Sequence, residues 1–487
     1  MNGPPWGRGL FLELDGRGPR HAQLTRALKE AIRNGRLPAH TRLPPTRELA
    51  LSLGLSRSTA LAAYEQLQAE GFLESRQGSG SFVAPQQMAP VPSKVPPARE
   101  VAPPSRYVTR LREGIDRAVG RRHYGLRYNL QYAEPLVQPG LAERWSKEIA
   151  HAAAYTDTDY PRTQGLPALR EGICDYLARR RGVVASPDDV IIVNGAQQAY
   201  SLSARVLLDE GDRVALEDPH YFSSYQIMRV HGAEIVGVRT DEDGMVCDEL
   251  PAEPARLVCV TPSHQFPGAS LMSLPRRLQL IAYAEKHGSW IVEDDYDGEL
   301  RFDGHPLAAL RALDAASRVI YVGTFSKVLF PSLRLGYMVV PPALRDDFLA
   351  AKWLSDMASP AIEQAALAAL IADGSFERFL RTGIKDLKLR RDTLLDGLRT
   401  HVGDRLELYD PPAGMHIVGW FRGLDEAQAT RLVDHAASRG LGLHPMAPFY
   451  LDPPSRPGLL IGYAGMSCAE IREATRLFGS CLRELGL

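Results

Sequence analysis

Apolar residues return every three or four positions between His21 and Gly35. Leu24, Leu28, Ala31 and Ile32 therefore share one helical face, and Gly35 marks the stop. After Leu43-Pro44-Pro45, Thr46 is placed to cap a short helix that ends at Gly54. Ser56 is placed to cap a third helix from Arg57 through Glu70, with Leu61, Tyr64 and Leu67 as its apolar side. From Phe72 to Val83 the pattern becomes that of a hairpin with a Gly78-Ser79-Gly80 tip. Two short helices around a glycine turn, followed by a hairpin, predict a winged helix-turn-helix whose second helix enters a major groove.

The pattern then lapses. Residues 84–106 hold seven prolines in 23 positions and little that could build a core, which predicts an extended, partly stiff linker. From Tyr107 onward, short runs that are apolar throughout alternate with helical stretches: Val190–Val193, Val214–Glu217, Leu257–Val260, Trp290–Glu293 and Val319–Val322. Strands without a polar face belong in a mostly parallel sheet covered by helices on both sides. The predicted organisation is a winged helix-turn-helix at 1–83, a linker at 84–106, and at 107–487 a large α/β domain with a smaller C-terminal α+β part.

Length and composition narrow the function classes. A chain of 487 residues is too long for one ordinary core, and no apolar run approaches the roughly 20 residues that a membrane helix needs. The first nine residues lack the basic and apolar pattern of a secretory signal, so a cytoplasmic location is expected. Five scattered cysteines without C-x-x-C spacing suggest neither a disulfide framework nor a zinc site. Net charge is −1 overall, yet residues 1–84 carry +4, which makes that end the place to look for nucleic acid.

The chemistry concentrates in Gly323-Thr-Phe-Ser-Lys-Val-Leu-Phe-Pro-Ser-Leu-Arg334. A lysine between small hydroxyl residues, with an arginine seven positions on, is the set that a pyridoxal phosphate (PLP) pocket requires. The amine condenses with the aldehyde, the hydroxyls bond phosphate oxygens, and the guanidinium meets the dianion. Asn194-Gly195-Ala196-Gln197-Gln198 follows a strand and opens a helix, where free N–H groups suit a phosphate. Glu293-Asp294-Asp295-Tyr296-Asp297 follows another strand, where a carboxylate can keep a pyridine nitrogen protonated and a nearby phenol can bond the ring oxygen. Tyr221 follows a third strand, where its ring can stack on the cofactor. Each signal alone has a bland reading as an ordinary turn, acidic loop or packed tyrosine. Their joint occurrence, in order and each beyond a strand, does not.

Gly35 to Val83 resembles the GntR group of winged helix-turn-helix domains in the order and spacing of Arg42-Leu-Pro-Pro-Thr-Arg-Glu-Leu-Ala50, Leu53-Gly-Leu-Ser-Arg-Ser-Thr59 and Gly78-Ser-Gly-Ser-Phe-Val83. The resemblance implies that Arg47, Arg57, Ser58 and Thr59 face DNA, with Arg76 and Gly78 in a wing near the minor groove. Arg57 is then suited to a guanine edge, and Arg47 with the hydroxyls to phosphates. Tyr107 to Leu487 resembles the fold type I aminotransferases. That likeness implies a Schiff base on Lys327, Asp294 at the pyridine nitrogen, Tyr296 at the phenolic oxygen and Tyr221 at the ring face. It assigns the phosphate to Ala196, Gln197, Thr324, Ser326 and Arg334, with Tyr160 reaching the phosphate of the neighbouring subunit. A homodimer with shared sites follows.

Together the two parts resemble the MocR family of bacterial transcription regulators. In that family the second domain senses PLP, or an amino compound that condenses with it, and dimers usually pair head to tail. Two departures from the enzyme pattern stand out. Phe266-Pro267 replaces Asn-Pro, so Gln265 or His264 is expected to supply the bond to the ring oxygen, and Leu460 stands where aminotransferases often keep a carboxylate-clamping arginine. A PLP-sensing regulator is the favoured reading. An active aminotransferase with an attached DNA module, and a dimerising scaffold without cofactor, are the alternatives. No metal is expected.

Overall fold

The computed structural model describes residues 12–76, 78–85, 103–118, 125–136, 140–302 and 307–487. The chain divides into two compact units, Met1–Ala102 and Pro103–Leu487. Most of the proline-rich linker, and Gln77 in the hairpin tip, lie outside the described residues.

In the first unit, helices α1 (Arg20–Arg33), α2 (Thr46–Ser52) and α3 (Arg57–Ala69) precede strands β1 (Leu73–Arg76) and β2 (Gly80–Val83). The strands pair antiparallel from Leu73 opposite Val83 to Arg76 opposite Gly80. Leu24, Leu28, Ala31 and Ile32 of α1 are buried against Leu49, Ala60, Tyr64, Leu67 and Val83. Two local expectations need correction. Thr46 is the first residue of α2 rather than its cap; Pro45 precedes it, no side chain caps the helix, and the helix ends at Ser52, before Gly54. Leu61 is 46% exposed, because the buried stripe of α3 runs through Ala60, Ala63, Tyr64 and Leu67, one position to its side. Gly54, at φ 61°, makes the turn between α2 and α3.

In the second unit the main sheet has eight strands in the spatial order Val190–Val193, Gly336–Val339, Val319–Thr324, Trp290–Asp295, Leu257–Val260, Arg213–Asp218, Glu234–Asp241 and Gly244–Met245. Gly336–Val339 runs antiparallel to both neighbours, the last strand is antiparallel, and the four pairings between are parallel. All five strands expected from apolar runs are present, and Val190–Val193 and Leu257–Val260 are buried along their whole length. A smaller antiparallel sheet of Leu406–Tyr409, His416–Phe421, Gly458–Gly462 and His444–Pro445 forms the C-terminal part, backed by the helices Ser375–His401 and Cys468–Glu484. Among the described residues no helix is long and apolar enough to cross a membrane.

Candidate functional site

The strand ends converge on one cavity of about 580 Å³. Its lining includes Ala196, Gln197, Tyr221, Asp294, Tyr296, Thr324, Ser326, Lys327 and Arg334, together with Asn129, Tyr132, Ala133, Glu134, Ser223, Thr261, Phe266 and Phe449. Tyr160 is not among the lining residues; its side chain is 80% exposed.

One end of the cavity is built from a helix start. Gly195 precedes the helix Ala196–Leu207 at φ 88°, ψ 176°, and no side chain caps it; the Gln198 N–H is taken up by the Gly195 carbonyl, and the Ala196 and Gln197 N–H groups are the ones that suit an anion. Arg334 donates from Nη2 to the Asn194 carbonyl at 2.7 Å. A Cβ at Gly195 would lie 3.2 Å from that guanidinium, so glycine permits both the backbone angle and the close approach. Asp356 braces the turn from behind, accepting from Asn194 Nδ2 at 2.9 Å and Gln198 Nε2 at 2.7 Å, while the buried Lys352 ammonium donates to the same carboxylate at 2.9 Å. Thr324 Oγ1 accepts from the Ser326 N–H at 3.2 Å. The Ser326 hydroxyl is buried without a partner among the described residues, as a ligand-facing donor would be.

The opposite end holds a carboxyl. Burial raises Asp294 to about 7; the Tyr200 hydroxyl and Lys327 favour its charged form, and the charges of Asp295 and Asp297 oppose it. Its Oδ1 has no partner among the described residues. A cationic ring nitrogen placed there would restore the carboxylate and satisfy the orphaned oxygen. Asp295, the adjacent carboxylate, is turned away into a buried ion pair with Arg181 at 2.6 Å and accepts from the Tyr321 hydroxyl at 2.5 Å. Between the two ends, Lys327 Nζ donates to the Ala133 carbonyl at 2.9 Å. Tyr221 and Phe266 meet edge to face at 5.8 Å.

Neither residue expected to replace the missing asparagine lines the cavity. Gln265 Nε2 donates to the Pro219 carbonyl at 2.7 Å and the Phe266 carbonyl at 2.9 Å, and its Oε1 accepts from the Gly268 N–H. His264 bonds instead to Asp297 and to Tyr296, which lies between it and the cavity. The space belongs to Thr261 and Phe266. Leu460 is buried in an apolar cluster with Phe266, Tyr296, Val418, Met446 and Phe449.

On the first unit, Arg47, Arg57, Ser58, Arg76 and Gly78 are exposed and Thr59 is half-buried. Ser56 Oγ accepts from the Thr59 N–H at 3.2 Å and lies 2.9 and 2.8 Å from the Ser58 and Thr59 hydroxyls. In the wing the Arg76 guanidinium covers the Phe82 ring at 4.7 Å. Arg42, which sequence reasoning did not single out, bridges to Phe82 and lies against Gly80 at the wing tip. Tyr200 and the Tyr132–Glu134 segment were likewise missed. Tyr200 lies one helical turn beyond Ala196, the only local signal available for it.

Residues 130–478 match the aminotransferase class I and II family, and residues 20–83 match the bacterial regulatory proteins of the gntR family. The probable rhizopine catabolism regulatory protein MocR of Rhizobium meliloti is 37% identical over 95% of this chain and 94% of its own length. The pyridoxine biosynthesis transcriptional regulator PdxR of Corynebacterium glutamicum is 32% identical over 93% and 96%. Among solved structures, LysN, the α-aminoadipate aminotransferase of Thermus thermophilus complexed with N-(5′-phosphopyridoxyl)-L-leucine, superposes with a TM-score of 0.70 at 28% identity over 78% of this chain and 97% of its own. With a gntR-type DNA-binding unit joined to an aminotransferase-like unit and relatives matched almost end to end, the chain belongs to the MocR family of helix-turn-helix transcription regulators.

Proposed function

We propose that this regulator binds PLP in the cavity of its second unit and that cofactor occupancy, alone or with an amino compound, changes its grip on operator DNA. The observation that carries this reading is the convergence on one cavity of a lysine, a helix start with an arginine behind it, an orphaned buried serine hydroxyl and an orphaned buried carboxyl oxygen. The phosphopyridoxyl adduct named for the LysN structure and the pyridoxine-linked name of PdxR support it.

When bound, PLP supplies an aldehyde that condenses with a primary amine and a ring that draws electrons from it. The chain's own residues then have separable tasks. The first-turn N–H groups of Ala196 and Gln197, the hydroxyls of Thr324 and Ser326, and Arg334 hold the phosphate. Lys327 carries the amine, Asp294 holds the ring nitrogen's proton, Tyr296 bonds the ring oxygen and Tyr221 covers one face. Tyr160 reaches the phosphate of a second copy, so the working form is a homodimer, paired head to tail. Arg47, Arg57, Ser58 and Thr59 face the operator, with Arg76 and Gly78 in the wing. A transcription regulator of this kind works in the cytoplasm, where the DNA is.

Leu460, buried among apolar side chains where aminotransferases often keep a carboxylate-clamping arginine, favours sensing over transamination. The test is titration of the purified protein with PLP, followed by visible absorption and operator binding on the same samples. A saturable visible band that disappears in Lys327→Ala, with operator affinity that follows the band, is the expected result. Sustained turnover of an amino donor and a keto acid would favour the enzyme reading instead.

A further inference from the structure

Behind the cavity wall, two residues that the cofactor roles above do not use extend from Tyr296. Tyr296 Oη is 2.9 Å from His264 Nδ1, and the same Nδ1 is 2.8 Å from Asp297 Oδ2. The His264 and Asp297 side chains are 2% and 1% exposed. The ring is wedged in place: His416 packs against it at 4.6 Å between centroids, and any side chain at Gly414 would overlap it.

Counting protons fixes the direction of each bond. An ionised carboxylate only accepts, so the contact to Asp297 requires the proton of His264 on Nδ1. That N–H, shared between two oxygens, is also a donor to Tyr296, whose oxygen must then accept. Nε2, the nitrogen left without a proton, is the one with no partner among the described residues. The phenol stays protonated, since burial and the neighbouring charges of Asp297 and Asp294 hold it well above 10. Its single proton is not spent on the histidine; the Asp297 carboxylate is within reach of it, and on ligand binding it can turn to the cavity that Tyr296 lines.

We infer that His264 and Asp297 are positioning residues that turn the Tyr296 hydroxyl into a donor aimed at the cavity, taking over the task that Asn-Pro performs in aminotransferases. The inference rests on the PLP reading, in which that donor meets the ring oxygen. A donated hydrogen bond stabilises the ring oxygen as an anion and so lowers the pH at which the lysine-bound nitrogen loses its proton. Groups that face Tyr296 or His264 from packed elements are Asp294, Glu217 and His416, with Lys327 beyond His416, and none of these is altered in the variants below.

The experiment is a pH titration of the visible band of the PLP-loaded protein. The variants are His264→Leu, His264→Asn, Asp297→Asn and Tyr296→Phe, with the double variant His264→Leu/Tyr296→Phe, and near-ultraviolet circular dichroism checks folding. The midpoint should rise by about one pH unit in His264→Leu and Tyr296→Phe, and less in Asp297→Asn. His264→Asn, which keeps an N–H donor, should recover part of the shift. In the Tyr296→Phe background the His264→Leu change should add nothing. An unshifted midpoint in folded His264→Leu, or an equal further shift without the phenol, would overturn the inference. No visible band in the wild-type protein would instead refute the PLP reading beneath it.

Discussion

Both functional surfaces of this regulator begin at the start of a helix, and the two starts are built in opposite ways. At α3 the donors are taken up internally: Ser56 caps the Thr59 N–H and ties in the Ser58 and Thr59 hydroxyls. At Ala196 the cap is a glycine at φ 88°, no side chain accepts from the first turn, and Arg334 stands behind it. The first start is finished without a ligand and stands beside the exposed Arg57, which on the proposed reading faces a large polyanion. The second is unfinished, and on the same reading a small anion would complete it. The difference teaches where binding energy resides: spread over a solvated surface in one unit, concentrated on a few buried, unsatisfied atoms in the other.

Substitutions can break this contrast, and the largest effect belongs to Lys327→Ala, which should abolish the visible band on PLP addition and leave a folded protein. Absorption spectroscopy checks it, and an unchanged band would mean that another amine is used. Next is Gly195→Ala, which forces a side chain into a backbone region suited to glycine and against Arg334. PLP affinity should fall about tenfold or more, as read by fluorescence titration, with operator sequence preference intact. Arg57→Ala should weaken operator binding by about 1 to 3 kcal/mol and lower its salt dependence, with no change in the PLP spectrum. Ser56→Ala should cost about 0.5 to 2 kcal/mol of first-unit stability through the lost cap, measured by thermal melting, and leave PLP affinity unchanged.

A pH dependence sharpens the same comparison. Asp294 is raised to about 7 in the folded protein, above its ordinary value of 3.8, chiefly by burial. A raised carboxyl favours folding below the unfolded value, and that contribution is lost as pH climbs through the folded one. Without PLP, the stability of the wild type relative to Asp294→Asn should therefore decline between about pH 4 and pH 7 and then level off. PLP should reverse the trend at the upper end, by giving the carboxylate a cationic partner. Parallel melting curves of the two proteins, with and without cofactor, measure both effects.

The strand-end residues were legible in the sequence because a buried parallel strand announces itself by its apolar run, and whatever follows it must sit at the rim. Asp294, Lys327 and Ala196 were reachable by that rule. What was hidden depends on chain segments far apart: Lys327 bonds the Ala133 carbonyl 194 positions away, and Tyr132 and Glu134 reach the cavity with it. The replacement for the missing asparagine was hidden for the same reason. His264 and Gln265 carry suitable atoms, yet Asp297, Pro219 and Phe266 claim those atoms first. In the first unit, the exposure of Leu61 differs from expectation by a single step around α3, which periodicity alone does not resolve.

On the proposed reading the two units communicate through PLP. The direct measurement is operator affinity, on genomic fragments selected by the purified protein, with and without PLP, for the wild type and Lys327→Ala. PLP should change wild-type affinity by about 5- to 150-fold and leave Lys327→Ala unmoved. Equal affinity in all four conditions would contradict it, and would leave the cavity and the DNA-binding surface as independent neighbours on one chain.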